Sequence, residues 1–170
     1  FLPKFYKDPE KYSFSLELFF MSERYHQLKD KISSDLFFNN KISDYFFMKS
    51  RIFAKTNLQR DELLLFEKLF DIMLASLPAP DLLVYLHSDI KRLQANIKKR
   101  GREYEQNIKD SYLESIQDSY FDYLKKQNKS AVLIIDITDV DFVNDLNTYS
   151  EIKRLISKKY TVGSTEKIIL

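Results

Sequence analysis

A parallel α/β sheet layered with helices is the fold class this sequence predicts, and three observations predict it. Leu82-Leu83-Val84-Tyr85-Leu86 and Ala131-Val132-Leu133-Ile134-Ile135 are short continuous apolar runs, the pattern of strands buried on both faces. Longer stretches with apolar residues every three or four positions lie before, between and after them. That alternation gives parallel strands joined by right-handed crossovers. Only two glycines occur in 170 residues, so long helices with short connections are favoured over an all-β arrangement.

The elements follow in order. Asp8-Pro9-Glu10 starts a helix, with Asp as cap, Pro at the first helical position and an acid in the first turn. It runs to about Lys31, with Phe14, Leu18, Met21, Tyr25 and Leu28 on its core face. Residues 36–45 predict a strand ending near Asp44, and a short helix follows over about 46–55. Another helix covers 59–77, where Leu63, Leu64, Phe66, Leu69, Phe70, Met73 and Leu77 form a broad apolar face, and Pro78 and Pro80 stop it. After the first apolar run, Ser88 is expected to cap a helix leading into Lys98-Lys99-Arg100. A helix over 110–127 presents Tyr112, Leu113, Ile116, Tyr120 and Leu124 on one side, and a last helix covers 148–158. The length suits one domain, residues 1–170.

Composition narrows the function. Net charge is +2 with both signs mixed along the chain, which does not predict nucleic-acid binding. Without cysteine, disulfides and thiolate metal sites are excluded, and a cytoplasmic location is expected. No apolar run reaches membrane-spanning length. A serine-nucleophile elbow and a phosphate loop both need clustered glycines, and the only glycines are Gly101 and Gly163. His26 and His87 are isolated, so no zinc site is expected and the metal ligands are unassigned. In an open parallel sheet, ligands bind beyond the carboxyl ends of the strands, which predicts Asp44, His87 and the segment after Asp136 near one rim.

The basic stretch Lys91-Arg92 to Lys98-Lys99-Arg100-Gly101-Arg102 has two readings. It is either a solvated helix end favoured by the helix dipole or a polyphosphate clamp. Two arginines flanking a glycine can neutralise charge on a transferred phosphoryl group. Glu105, just beyond, can accept hydrogen bonds from a sugar hydroxyl.

Phe5-Tyr6-Lys7-Asp8-Pro9-Glu10-Lys11-Tyr12-Ser13-Phe14-Ser15-Leu16-Glu17 with Arg24-Tyr25-His26-Gln27-Leu28 resembles the substrate helix of the deoxynucleoside kinase family. Lys49-Ser50-Arg51-Ile52-Phe53-Ala54 and Pro80-Asp81-Leu82-Leu83-Val84-Tyr85-Leu86 are similar to its following segments. Lys99-Arg100-Gly101-Arg102-Glu103-Tyr104-Glu105 with Tyr112-Leu113-Glu114 resembles its lid, and Asp139-Val140-Asp141-Phe142 its donor-base loop. The match is collinear over nearly the whole chain and is nearest in character to the bacterial deoxyadenosine/deoxyguanosine kinases.

The resemblance implies a P-loop kinase-like three-layer α/β/α fold. The sheet has five strands in the intact family and about three here, with a helical lid over about 98–109. It implies transfer of the ATP γ-phosphoryl group to the 5′-hydroxyl of a purine deoxynucleoside, with ATP and Mg²⁺, and a homodimer formed through the helices near 9–31 and 59–77. Tyr6 and Glu105 match the residues that contact the sugar 3′-hydroxyl. Glu17 takes the place of the base-bonding glutamine, and Arg24 matches the base-edge arginine. Arg100 and Arg102 match lid arginines that hold donor phosphates, and Asp141 and Phe142 fall in the donor-base loop.

The chain departs from the family pattern at four positions. Glu17 replaces Gln; a carboxylate only accepts, which favours guanine N1–H and N2–H. Asp44, in Ser43-Asp44-Tyr45, stands where a Glu-Arg-Ser or Asp-Arg motif carries arginine, and its role is left between metal ion and 5′-oxygen. Lys49 replaces an aspartate that pairs with the base-edge arginine, so Lys49 and Arg24 should repel unless Glu17 lies between them. Asn96 replaces a lid arginine. In the family the phosphate loop and a Glu-Pro pair precede the segment beginning at Phe1-Leu2-Pro3-Lys4-Phe5, and the strands carrying them are expected to be needed for stability. The alternatives are an inactive nucleoside-binding fragment and a thymidylate-kinase-like enzyme with another acceptor.

Overall fold

The structure is a computed structural model describing residues 1–34 and 41–170. The chain divides into two compact units, Phe1–Pro78 with Ser115–Tyr120, and Ala79–Glu114 with Phe121–Leu170.

The first unit is helical. Helix α1 (Leu2–Lys7) leads into α2 (Pro9–Ser34), where the Lys11 backbone N–H donates to Asp8 Oδ1 at 3.3 Å, the capping contact that Asp-Pro-Glu predicts. Helix α3 (Met48–Asn57) and helix α4 (Arg60–Leu74) follow. A capping box closes α4: the Gln59 backbone N–H donates to Glu62 Oε2 at 3.2 Å. Helix α4 ends three residues before its apolar pattern predicts, because Ser76 and Leu77 bond back to Met73 and Leu74 in tight three-residue turns.

Met21, Phe47, Ala54, Phe66 and Phe70 form the buried centre of this unit, and Phe14, Leu18, Tyr25 and Leu28 pack against it. All the core positions named by the spacing in α2 are therefore on the core face. Phe47 stacks on Phe70 with centroids 4.6 Å apart, and Arg51 spans from that ring to Glu67, with Nε–Oε1 at 3.0 Å and Nη2–Oε2 at 2.6 Å. The strand expected over 36–45 is not found in its described part, 41–45, which is irregular with a bend at Asp44; residues 36–40 lie outside the described residues. Ser43 exchanges two 3.0 Å bonds with the Tyr45 backbone, a local turn in place of a ladder.

The second unit holds a parallel sheet in the order β1 (Leu82–His87), β2 (Ala131–Asp136), β3 (Thr165–Ile169). The registers run from Leu82 opposite Ala131 to His87 opposite Asp136, and from Val132 opposite Thr165 to Asp136 opposite Ile169. Only β2 is buried on both faces. Among the described residues β1 has a partner on one side alone, so Val84 and Leu86 are exposed, contrary to the reading of that run as fully buried. Among the described residues the sheet has the three strands expected, and the third of them is β3, which was not predicted.

Helix α5 (Ile90–Arg100) is capped by Asp89, whose Oδ1 accepts from the Arg92 backbone N–H at 2.6 Å. The cap expected at Ser88 thus falls one residue later, and Ser88 is buried. Gly101 ends α5 in the left-handed conformation at φ +71°, its N–H reaching the Ile97 and Lys98 carbonyls. A single 3₁₀ turn (Glu103–Glu105) leads to α6 (Asp110–Lys126), which supplies Ser115–Tyr120 to the first unit, and α7 (Leu146–Ile156) precedes β3. Leu133, Ile135, Ile152 and Leu155 are the buried centre here. No helix of the described residues is long and apolar enough to cross a membrane.

Candidate functional site

The first unit brings together most of the residues predicted to read the acceptor. Glu17 lies in the middle of α2, only 2% exposed, and its Oε1 accepts from the Asn57 side-chain amide at 2.7 Å. Arg24, seven residues and two turns along the same face, donates from Nη1 to Ser50 Oγ at 2.7 Å. Its guanidinium also sits over the Phe20 ring at 5.1 Å and the Tyr45 ring at 5.9 Å. Asn57 and Ser50, both on α3, are partners that the residue pattern does not announce. Ser50 falls inside the quoted motif without an assigned role, and Asn57 ends its helix where an asparagine ordinarily caps.

Electrostatics set these groups apart. Burial pushes the Glu17 carboxyl up to about 7, against the lowering effects of the Asn57 hydrogen bond and the nearby Arg24 charge. Burial also pulls Arg24 below its ordinary value, while Glu17 favours its charged form. Lys49 is lowered by burial and by Arg24, and Asp44 opposes this. The charge that relieves the Arg24–Lys49 repulsion on the lysine side is therefore Asp44, and Glu17 acts on Arg24. Asp44 itself is exposed and belongs to this unit, whereas the strand ends belong to the second. Tyr6 is half-buried on α1, edge-on to Phe5 at 5.1 Å.

The second unit carries the residues predicted for the lid and the strand rim. Glu105, 5% exposed, is the hub: Arg100 Nη2 donates to its Oε2, and Arg102 Nη1 to its Oε1 at 3.3 Å. Both arginine side chains stay half-exposed, and the carboxylate raises the Arg102 pKa. A groove of about 770 Å³ along α5 is lined by Lys91, Gln94, Lys98, Gln106, Asp110 and Glu114 and contains none of the assigned residues.

At the strand ends, Asp136 Oδ2 lies 3.9 Å from His87 Nε2. Burial raises the Asp136 carboxyl, but the Thr138 hydroxyl at 2.7 Å and backbone N–H at 3.1 Å outweigh it, and the net shift is downward. Asp141 organises the following loop, accepting from the Val143 and Asn144 backbone at 3.2 and 3.3 Å and from the Asn144 amide at 2.7 Å. Phe142 packs partly buried against the Leu133–Ile135–Ile152–Leu155 cluster.

The first unit thus carries a buried acid and an arginine on one face of α2, and the second carries a parallel sheet and an arginine pair about Gly101 at the end of α5. Residues 1–161 match the family model described as "Deoxynucleoside kinase". The deoxyguanosine kinase of Bacillus subtilis is 33% identical over 159 residues, covering 89% of this chain and 76% of that protein. The deoxyadenosine/deoxycytidine kinase of the same organism is 31% identical over 159 residues, covering 89% and 72%. Among solved structures, the deoxyadenosine kinase from M. mycoides with bound dCTP superimposes with a TM-score of 0.74 at 22% identity, covering 93% of this chain and 80% of that one, and supports the P-loop kinase fold. The chain belongs to the deoxynucleoside kinase family. Its members are ATP-dependent phosphotransferases acting on deoxynucleosides.

Proposed function

We propose that the protein phosphorylates the 5′-hydroxyl of a purine deoxynucleoside and prefers deoxyguanosine to deoxyadenosine. The observation that carries this reading is the buried Glu17 carboxyl, two turns from Arg24 on one helix face. Guanine presents two N–H donors, N1 and N2, beside the acceptors O6 and N7. An ionised Glu17 supplies acceptors and Arg24 supplies donors, so the pair is complementary to that edge. Bonding to guanine N–H groups favours the charged carboxylate and so opposes the burial that pushes Glu17 up to about 7. Similarity to the Bacillus subtilis deoxyguanosine kinase supports the same preference.

Tyr6 is assigned to the sugar in the first unit and Glu105 to the sugar in the second. Lys49 and Asp44 balance the charge around Arg24, and Asp44 keeps its proposed place close to the reacting end of the acceptor. Arg100 and Arg102 are assigned to the ATP phosphates: their half-exposed guanidiniums are held by one carboxylate that polyphosphate oxygens can displace. Asp141 and Phe142 are assigned to the donor base. Mg²⁺ belongs to the proposed reaction, yet among the described residues no group of three His, Cys, Asp or Glu comes together as ligands, so the steps assigned here are those of the side chains alone.

A homodimer is proposed through α4, where Leu64, Leu65 and Ile72 are exposed on the side away from the core, and sedimentation of the purified protein tests it. The substrate assignment is tested by incubating full-length protein with ATP, Mg²⁺ and each of the four deoxynucleosides. Phosphorylation of the purines, deoxyguanosine foremost, is expected. No phosphorylation of any of them overturns the reading, and nucleoside binding without turnover is the result an inactive binding protein would give.

A further inference from the structure

Asn57 closes α3, forty residues away in sequence from the acid it contacts, and its amide donates to Glu17 Oε1 at 2.7 Å. An asparagine in the last turn of a helix ordinarily turns its side chain to nearby backbone or water. Here the amide reaches a carboxyl that is 2% exposed on another helix. It occupies Oε1, so the contact fixes how the carboxyl is presented as well as its charge.

A carboxyl has two chemically different forms. Ionised, it only accepts hydrogen bonds and matches guanine N1–H and N2–H. Protonated, it offers one donor and one acceptor, as a glutamine does, and matches adenine, which pairs an N–H donor with a ring-nitrogen acceptor. We propose that Asn57 is a specificity-determining positioning residue: by donating to Glu17 Oε1 it favours the ionised, guanine-reading form of that carboxyl. The proposal rests on the assignment of Glu17 to the acceptor base.

The charged groups around Glu17 leave Asn57 as the separable lever. Arg24, on the same helix, is the charged group acting on Glu17 directly, and it is itself assigned to the base. Tyr45 and Tyr120 act on Arg24, Lys49 of α3 is coupled to Arg24, and Asp44 is coupled to Lys49. Asn57 is neutral, so replacing it removes a hydrogen bond to the carboxyl without removing a charge. Burial already pushes Glu17 up to about 7, and loss of the Asn57 bond pushes it further in the same direction.

The experiment measures kcat/KM for deoxyguanosine and deoxyadenosine from about pH 5.5 to about pH 9, a range bracketing the raised carboxyl, on full-length wild type, Asn57→Ala, Asn57→Asp and Glu17→Gln. In wild type the deoxyguanosine-to-deoxyadenosine ratio is expected to rise with pH through neutrality. Asn57→Ala should move that midpoint up by about one pH unit and lower the ratio at neutral pH about tenfold, mainly through a higher KM for deoxyguanosine. Asn57→Asp places a second carboxyl beside Glu17 and should move the midpoint further the same way, which keeps the test open if the alanine variant does not fold. A folded Asn57→Ala with the wild-type ratio and midpoint, or an Asn57→Asp midpoint that moves down, overturns the proposal. If Glu17→Gln alters the ratio in that case, the base-reading role of Glu17 survives. If Glu17→Gln also leaves the ratio unchanged at every pH, the underlying assignment has failed.

Discussion

Glu17 in the first unit and Glu105 in the second are both buried acids, and they are held by opposite means. Glu17 has one neutral hydrogen-bond donor, Asn57, with the Arg24 charge acting nearby, and burial prevails over both. Glu105 is clamped by two guanidiniums from one segment about Gly101, both half in solvent. A buried carboxyl lacking a full countercharge is poised between protonation states, so a base offering N–H donors can settle it. A buried carboxylate between two exposed cations is a resting partner, and another polyanion can compete for those cations at little desolvation cost to the arginines. On the proposed assignments, the first region would answer to a proton and to hydrogen-bond pattern, and the second to charge.

The largest expected effect breaks the comparison at Glu17. Its folded pKa is raised from an ordinary 4.5 to about 7, so the folded state binds more protons than the unfolded one in that interval. Stability from this group is complete below about pH 4.5 and is lost as pH rises through about 7, by an amount on the order of 3 kcal/mol. Glu17→Gln should remove most of that slope in urea-melt stability between about pH 4.5 and about pH 7; an unchanged slope would show that another group causes it. Arg102→Ala should lower turnover roughly 100-fold, as loss of a transition-state charge contact does. Its melting temperature should move less than its turnover, because Arg102 is half in solvent and Arg100 still pairs with the buried Glu105 carboxylate. Equal losses of stability and turnover would make the arginine structural.

Ser50→Ala removes the acceptor that holds Arg24 and should raise KM for the nucleoside about tenfold while costing roughly 1–2 kcal/mol of stability; a changed kcat with unaltered KM would contradict its place in base reading. The smallest effect concerns Gly101, which ends α5 in the left-handed conformation. A Cβ at Gly101 would meet nothing within 4 Å, so Gly101→Ala costs only the left-handed conformation, about 1 kcal/mol. A much larger loss in a denaturant melt would mean the glycine is packed in a way this structure does not show.

Legibility in the sequence followed physical contrast. The α2 core face was readable because Phe14, Leu18, Met21, Tyr25 and Leu28 repeat at helical spacing, and β2 because five buried apolar residues in a row admit few other readings. Strand β3, Thr-Glu-Lys-Ile-Ile, is an exposed edge whose charges hide it, since its fit is set by pairing with β2 and not by hydropathy. The strand expected at 36–45 rested on local apolar residues, and its described part makes a serine-centred turn instead. Glu17 and Arg24 were found through the family resemblance, which their seven-residue spacing supports, whereas Arg100, Arg102 and Glu105 stood out as an arginine pair about a glycine followed by an acid. Asn57 and Ser50 did not, because small polar residues at helix positions carry no pattern that points to partners 40 and 26 residues away.

The central claim is that Glu17 reads the base as an acceptor, and the most direct measurement is competition between deoxyguanosine and deoxyadenosine for the full-length kinase and its Glu17→Gln variant at pH 8, about one unit above the Glu17 value. The account predicts a wild-type product mixture dominated by deoxyguanosine monophosphate and a shift of about tenfold or more toward deoxyadenosine monophosphate in the variant. An identical product ratio in the two proteins would contradict it.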